Sequence, residues 1–345
     1  MRRRSAVCTW PSRRSSGDEG GLATPSAITV CRRLPGRVRE ILAAAGTVRL
    51  ASDSAETPSP ERFSEALSEA EGLLVCIAER VGQEELARAP RLRALTSMSA
   101  GADHLDLEAL ARRGVAVATV GPVLTETTAD LAFALALAAA RRLGEGERAV
   151  RQGTWKGWTP TYMLGREVHG RTLGILGMGR IGRAVARRAG AFGMRILYHN
   201  RRPLPDDAAA GGVYLDLDAL LTESDILIGL LPSTAETRGL LDARALARMR
   251  SDSILVNAGR GDTLDLDALV AELQRGRFAG VGLDVYPREP LPPDHPLLAF
   301  ERVVAVPHLG SATVEARTAM AETAAHALVA LLGGDELPIG TVRLT

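Results

Sequence analysis

Three short segments carry side chains that could bind an anion and move a proton at one place. Asn257-Ala258-Gly259-Arg260-Gly261 offers a guanidinium, Val285-Tyr286-Pro287-Arg288-Glu289-Pro290 a carboxylate, and Pro307-His308-Leu309-Gly310 an imidazole. Arginine grips a carboxylate with a two-pronged fork. Histidine titrates in the neutral range, and a nearby carboxylate favours its charged form. Each segment follows a short apolar run of strand length, and ligands of open α/β sheets collect outside the carboxyl ends of strands. Arg260, Glu289 and His308 are therefore expected to converge on one crevice. A lone histidine is more often structural than catalytic, and His104, His169, His199, His295 and His326 are read that way. Asp103, Asp106 and Asp130 are read as turn or helix-end groups, and no cluster of side chains points to a metal.

A fourth segment speaks of a nucleotide. Gly177-Met178-Gly179-Arg180-Ile181-Gly182 is a G-x-G-x-x-G element in a chain of 35 glycines, so its context decides its weight. An apolar strand pattern at 172–176 precedes it, and an amphipathic helix pattern at 180–192 follows. The first glycine allows the tight turn, the second lets backbone approach a pyrophosphate, and the third lets helix pack on strand. The helix N-terminus supplies amide donors to the phosphates. After the next strand, Asn200 stands where an NAD site would place an acid for the ribose hydroxyl, followed by Arg201 and Arg202. A neutral Asn tolerates a 2′-phosphate and guanidinium groups bind one. The cofactor expected is NADP(H) by preference, with NAD(H) second. Lys156 is the only lysine among 42 basic residues, so arginine usage is biased. That bias could account for one of the two arginines but not for the missing acid.

The elements that must position these residues come in two alternating series. Strand patterns at 27–31, 48–50, 73–77, 94–97 and 115–118 alternate with helix patterns at 35–45, 60–71, 83–89 and 105–113. A long apolar helix from Glu126 to about Leu143, with Thr125 as its N-cap, leads to a loop rich in Gly, Trp and Pro at 153–165. Strands at 173–176, 195–198, 226–230, 253–257, 280–284 and 303–306 follow, and a last helix spans 313–332. Such alternation implies right-handed crossovers and parallel sheets covered on both faces. The 345 residues match about two domains of roughly 150 residues each. Residues 1–25, with Arg2, Arg3 and Arg4 and no apolar stretch, read as a disordered extension rather than a signal peptide.

Composition narrows the partners. A formal net charge of +1 removes the broad electrostatic case for nucleic acid or a lipid surface. The most apolar run, Leu131–Ala140, is half the ~20 residues of a membrane span. Cys8, Cys31 and Cys76 form no C-x-x-C pair, so neither a disulfide framework nor a zinc site is expected, and a cytoplasmic location is the default.

Taken in order, these motifs resemble the D-isomer-specific 2-hydroxyacid dehydrogenases, and most closely the glyoxylate/hydroxypyruvate reductase branch. The resemblance runs from about 27 to 340 and includes Met98-Ser99-Ala100-Gly101-Ala102-Asp103-His104, Leu124-Thr125-Glu126-Thr127-Thr128 and Leu231-Pro232-Ser233-Thr234. It implies an α/β chain of two doubly wound parallel-sheet domains. A Rossmann cofactor domain (121–308) would be inserted into a flavodoxin-like substrate domain (26–120 and 309–345). It implies reduction of a small 2-oxo acid, with Arg260 and the backbone of Ala100 and Gly101 holding the carboxylate and His308 giving the proton. Thr128, Gly177, Gly179, Arg180, Ile181, Gly182, Leu231, Pro232, Ala258, Asp284 and Gly310 would contact the cofactor, with Asp284 at the nicotinamide carboxamide. A homodimer through the cofactor domain is implied, with Trp158 walling the partner's site. Sugar 2-keto acids such as 2-ketogluconate are an alternative substrate class. An NAD(H)-sensing co-repressor-like protein would not need the intact triad, and a phosphoglycerate dehydrogenase often carries a further C-terminal regulatory domain.

Overall fold

A computed structural model describes residues 26–205 and 209–345; the expected extension at 1–25, with Cys8, lies outside the described residues. The chain forms two parallel sheets. The first contains β1 (Ser26–Val30), β2 (Gly46–Leu50), β3 (Gly72–Val75), β4 (Ala94–Ser97) and β5 (Ala116–Thr119). The second contains β6 (Thr172–Leu176), β7 (Arg195–His199), β8 (Val213–Tyr214), β9 (Ile226–Gly229), β10 (Ile254–Asn257), β11 (Gly280–Leu283) and β12 (Val303–Ala305). The tail returns as β13 (Val342–Arg343), which pairs antiparallel with β5. The strand orders are β13-β5-β4-β3-β1-β2 and β12-β11-β10-β9-β6-β7-β8. Both sheets are doubly wound, with a reversal of strand order beside β1 and beside β6, where α/β folds place their ligand crevices.

The strands read as they fold. The central runs GLLV, ALTS, ILIG, ILVN and GVGL are buried along their whole length, as strands covered on both faces must be. Two helices cross between the halves. Thr125–Ala140 buries Ala129, Ala132, Phe133, Leu135, Ala136 and Ala139 against the second sheet. Gly280 and Gly282 of β11 lack the side chains that would meet the Ala139 carbonyl at 2.6 Å and Leu135 Cβ at 3.1 Å. Val314–Gly333 lays Met320, Ala321, Ala324 and Leu328 over Ile28, Val30 and Leu74 of the first sheet.

Several boundaries differ from expectation. Thr125 is not the N-cap of the crossing helix but its first residue. A 3-10 turn, Gly121–Leu124, leads in, and the Thr125 hydroxyl donates to the Pro122 carbonyl at 2.9 Å. The helix stops at Ala140 because Arg142 turns left-handed, with φ of 53°, and a separate helix, Leu143–Arg151, begins there. The expected helix at 35–45 shrinks to Val38–Ala43, since Gly36 has a φ of 78°. Two-residue β8 and β13 are too short to show a periodicity. Thr313 does cap the last helix, accepting from the Ala316 amide at 3.1 Å.

Candidate active site

The guanidinium, carboxylate and imidazole arise after the ends of β10, β11 and β12 in turn. Buried Asn257 closes the turn after β10: its Nδ2 donates to the Arg260 carbonyl at 3.0 Å, and its Oδ1 accepts from the Gly259 amide at 3.2 Å. The neighbouring loop is pressed so close that a Cβ on Gly261 would lie 1.9 Å from the Tyr286 carbonyl carbon. Arg260 thus leaves the sheet at a fixed angle. Its Nε donates to Asp103 Oδ1 at 2.9 Å, across to the loop after β4, and its Nη1 donates to the Gly259 carbonyl at 3.1 Å.

His308 Nδ1 donates to Glu289 Oε2 at 2.8 Å, and the other carboxylate oxygen accepts from the Tyr286 amide at 3.0 Å. Burial pushes Glu289 upward, but the His308 hydrogen bond, the Tyr286 amide and the charges of His308 and Arg260 outweigh it. The carboxyl sits below its ordinary range, ionised at neutral pH. With Nδ1 tied down, Nε2 is the ring atom left for the cleft. His308 has a φ of 54°, a left-handed conformation that a non-glycine residue keeps only where its surroundings impose it. The imposing group is buried Asp284: it accepts from the Leu309 amide at 2.5 Å and the Gly310 amide at 2.9 Å, while its carbonyl accepts from His308 N.

Facing them is the loop after β4. Ser99 Oγ donates to the Gly101 carbonyl at 2.6 Å, Ser97 and Ser99 share a hydrogen bond of 2.7 Å, and Ser97 meets His104 Nε2 at 2.8 Å. Burial drives His104 down to about 4, so it stays neutral and serves as a structural partner. The chain of three hydrogen bonds sets the backbone of Ala100 and Gly101. Asp103, read from sequence as a turn group, is instead the partner of Arg260. Burial acts to raise its carboxyl, but the charge and hydrogen bond of Arg260 prevail and hold it below the ordinary value.

These parts share one cleft of about 230 Å³, below the ~300–1,000 Å³ of sites for drug-sized ligands. Ala100, Gly101, Arg260 and His308 line it, together with Thr128, Ile181, Leu231, Pro232, Ala258, Asp284 and Gly310. Glu289 stands behind His308. Trp158 is outside the cleft of its own chain, 81% exposed. Cys76, Met98, Arg317 and Met320 also line the cleft, and sequence reasoning assigned none of them a place in the site. A larger surface hollow of about 600 Å³ beside Arg142, Glu145 and Arg302 holds none of the expected site residues.

The glycine turn opens beside this cleft. Gly177 has a φ of 104°, and a Cβ on Gly182 would meet the Gly177 carbonyl oxygen at 2.5 Å, so neither tolerates a side chain. Beyond Gly179 there is open space. No side chain caps the helix Arg180–Ala191, which leaves its first amides free to receive phosphate oxygens. The turn therefore fits a dinucleotide. Asn200 Oδ1 accepts from the Met178 amide at 2.7 Å, bracing the turn, and Arg201 and Arg202 are exposed beyond it.

Comparison with known proteins places the fold in a family. The family described as D-isomer specific 2-hydroxyacid dehydrogenase, NAD binding domain, matches residues 133–310. A glyoxylate reductase of Korarchaeum cryptofilum is 46% identical over 81% of this chain and 85% of its own length. The crystal structure of a Thermus thermophilus protein superposes with a TM-score of 0.85 at 43% identity, covering 90% of this chain and 98% of that one. An NADPH-dependent glyoxylate/hydroxypyruvate reductase of Sinorhizobium meliloti, solved with NADP and malonate, superposes at 0.78 and 34% identity, over 89% of this chain and 93% of its own. With the glycine turn and the Arg260 cleft carried on the same fold, the chain belongs to the D-isomer-specific 2-hydroxyacid dehydrogenase family.

Proposed function

We propose that this chain reduces glyoxylate and hydroxypyruvate to the corresponding 2-hydroxy acids with a nicotinamide cofactor, NADPH by preference. The observation that carries this reading is the His308–Glu289 pair, held at 2.8 Å, on the same cleft as Arg260. The nicotinamide, when bound, supplies a hydride to the carbonyl carbon. Arg260 receives the substrate carboxylate: with Nε on Asp103 and Nη1 on Gly259, its Nη2 lies against Gly101, where a glycine Cβ would meet it at 2.0 Å. The amides of Ala100 and Gly101 approach the same anion from the other sheet. His308 gives its Nε2 proton to the developing alkoxide, and Glu289 stabilises the charged ring beforehand.

The substrate domain is assigned to 26–120 and 309–345 and the cofactor domain to 121–308, which puts the cleft between them. Preference for NADPH is supported by the absence of an acid at Asn200, by Arg201 and Arg202, and by the NADP bound to the Sinorhizobium meliloti relative. Exposed Leu143, Val150, Trp155, Trp158 and Leu164 lie on one stretch of the cofactor domain, which supports pairing of two copies there and a place for Trp158 at the partner's cleft.

The test is a panel of 2-oxo acids, including glyoxylate, hydroxypyruvate and 2-ketogluconate, with NADPH or NADH, followed by nicotinamide absorbance. Turnover of the two small acids is expected. A preference for 2-ketogluconate would move the assignment to sugar acids, and silence across the panel with cofactor still bound would refute the reductase.

A further inference from the structure

Cys31 and Cys76 stand just past the ends of adjacent parallel strands β1 and β3. Their sulfurs are 3.8 Å apart, with the Cys31 thiol donating to Cys76. The two differ in access: Cys31 is fully buried, whereas Cys76 is partly exposed and lines the cleft beside Ile77 and Met98. The hydrogen bond from Cys31 lowers the Cys76 thiol, and Arg32 and Arg317 add to it against the effect of burial. Burial raises Cys31. Glu79 completes a three-donor cluster, but its oxygens are already engaged by Arg32 and by the Cys76 amide. With one Glu79 oxygen paired to a guanidinium and the other to a backbone amide, the pair is read as a dithiol.

We propose that Cys31 and Cys76 form an oxidisable dithiol in the wall of the cleft, closed to a disulfide by small hydroperoxides. The Cys76 thiolate attacks the distal peroxide oxygen; the O–O bond breaks, and the departing alkoxide takes up the proton that the thiol released and leaves as the alcohol. Cys31 then attacks the resulting sulfenic sulfur, the S–S bond forms, the S–O bond breaks, and the departing hydroxide takes the Cys31 proton as water. Two electrons pass from the sulfurs to the peroxide, with no other reductant involved. The sulfurs must close from 3.8 Å to about 2.05 Å, which draws the two neighbouring strand ends together. That shift moves the exit of β3, where Cys76 and Ile77 line the same cleft as Arg260. The effect on substrate rests on the reductase reading; the bond itself does not.

The test uses the full chain with Cys8→Ser, treated with tert-butyl hydroperoxide. Titratable thiols are expected to fall from two to none, the intact mass to drop by two hydrogens, and dithiothreitol to restore both. Peptide mapping should find Cys31 joined to Cys76 of the same chain. With Cys31→Ala added, Cys76 should gain one oxygen and be captured by dimedone; with Cys76→Ala added, buried Cys31 should stay reduced. Two surviving thiols, oxygens added to both sulfurs without a bond, or links only between chains would overturn the dithiol site. The oxidised chain should show a several-fold higher KM for glyoxylate with the KM for NADPH unchanged. A bond that forms without this change overturns the coupling to the cleft. If the reduced chain turns over no 2-oxo acid, the reductase reading fails and the mass and peptide results still decide the dithiol.

Discussion

Arg260 and Asp103 belong to different sheets, yet Nε of one stands 2.9 Å from Oδ1 of the other. The pair spans the cleft, and it does for Arg260 what Glu289 does for His308: it fixes the direction of the group while leaving another face free. Asp103→Asn keeps the shape and removes the charge. Its expected effect is a fall of about tenfold in kcat/KM for the 2-oxo acid, about 1.4 kcal/mol, carried mainly by KM. Steady-state kinetics measure it; an unchanged KM would show that Asp103 does not position Arg260.

Glu289→Gln removes the anion that favours a charged His308. A fall in kcat of about 10–100-fold is expected, at or below the low end of acid–base contributions because Glu289 acts through His308, with the KM for cofactor unaltered. Since the Glu289 carboxyl is lowered, the pair is intact above the ordinary carboxylate range and is lost as pH falls through the lowered value. In the variant the acid-side fall that follows protonation of Glu289 should disappear. A profile superposable on the parent would remove Glu289 from the mechanism.

Cofactor choice is tested by Asn200→Asp with Arg201→Ala. An Asp at 200 keeps an oxygen for the Met178 amide, so the turn should survive. The ratio of kcat/KM for NADPH over NADH is expected to fall by about 10–100-fold, as a carboxylate repels the 2′-phosphate and a guanidinium is lost. An unchanged ratio would refute the assignment.

His104 makes stability depend on pH. Its pKa, about 4 in the folded chain, lies below the ~6.5 of an unfolded histidine. The folded state therefore binds fewer protons. The contribution is fully present above about pH 6.5 and is lost as pH falls towards 4, up to about 3 kcal/mol in all. Urea unfolding at pH 7.5 and pH 5 should show this loss, and His104→Gln should flatten it. Equal slopes in parent and variant would mean that His104 is solvated.

The parts legible in the sequence were those written in local pattern. Runs such as Leu73–Val75 and Ile254–Asn257 are too apolar and too short for anything but strands buried on both faces. The glycine turn announced itself because each glycine answers a separate steric demand, and Arg260, Glu289 and His308 because each follows a strand. What escaped was tertiary. Asp103 meets Arg260 only after the two sheets come together, across 157 positions of sequence. Arg317 was hidden among many other arginines, and the partners Cys31 and Cys76 are 45 positions apart. Thr125 has a good capping side chain, but the 3-10 turn before it had already supplied the helix entrance.

The helix Val314–Gly333, which lies over Ile28, Val30 and Leu74, has a consequence for biosynthesis. The strands beneath it leave the ribosome first and the helix among the last. At about 5–20 residues per second, the stretch from Val120 to Thr313 takes roughly 10–40 s to translate. For that interval the nascent first sheet has one greasy side unsheathed, while the nucleotide-binding half can already complete itself. A chaperone that shields early-emerging strands would thus matter more to this polypeptide than to one whose domains are made end to end.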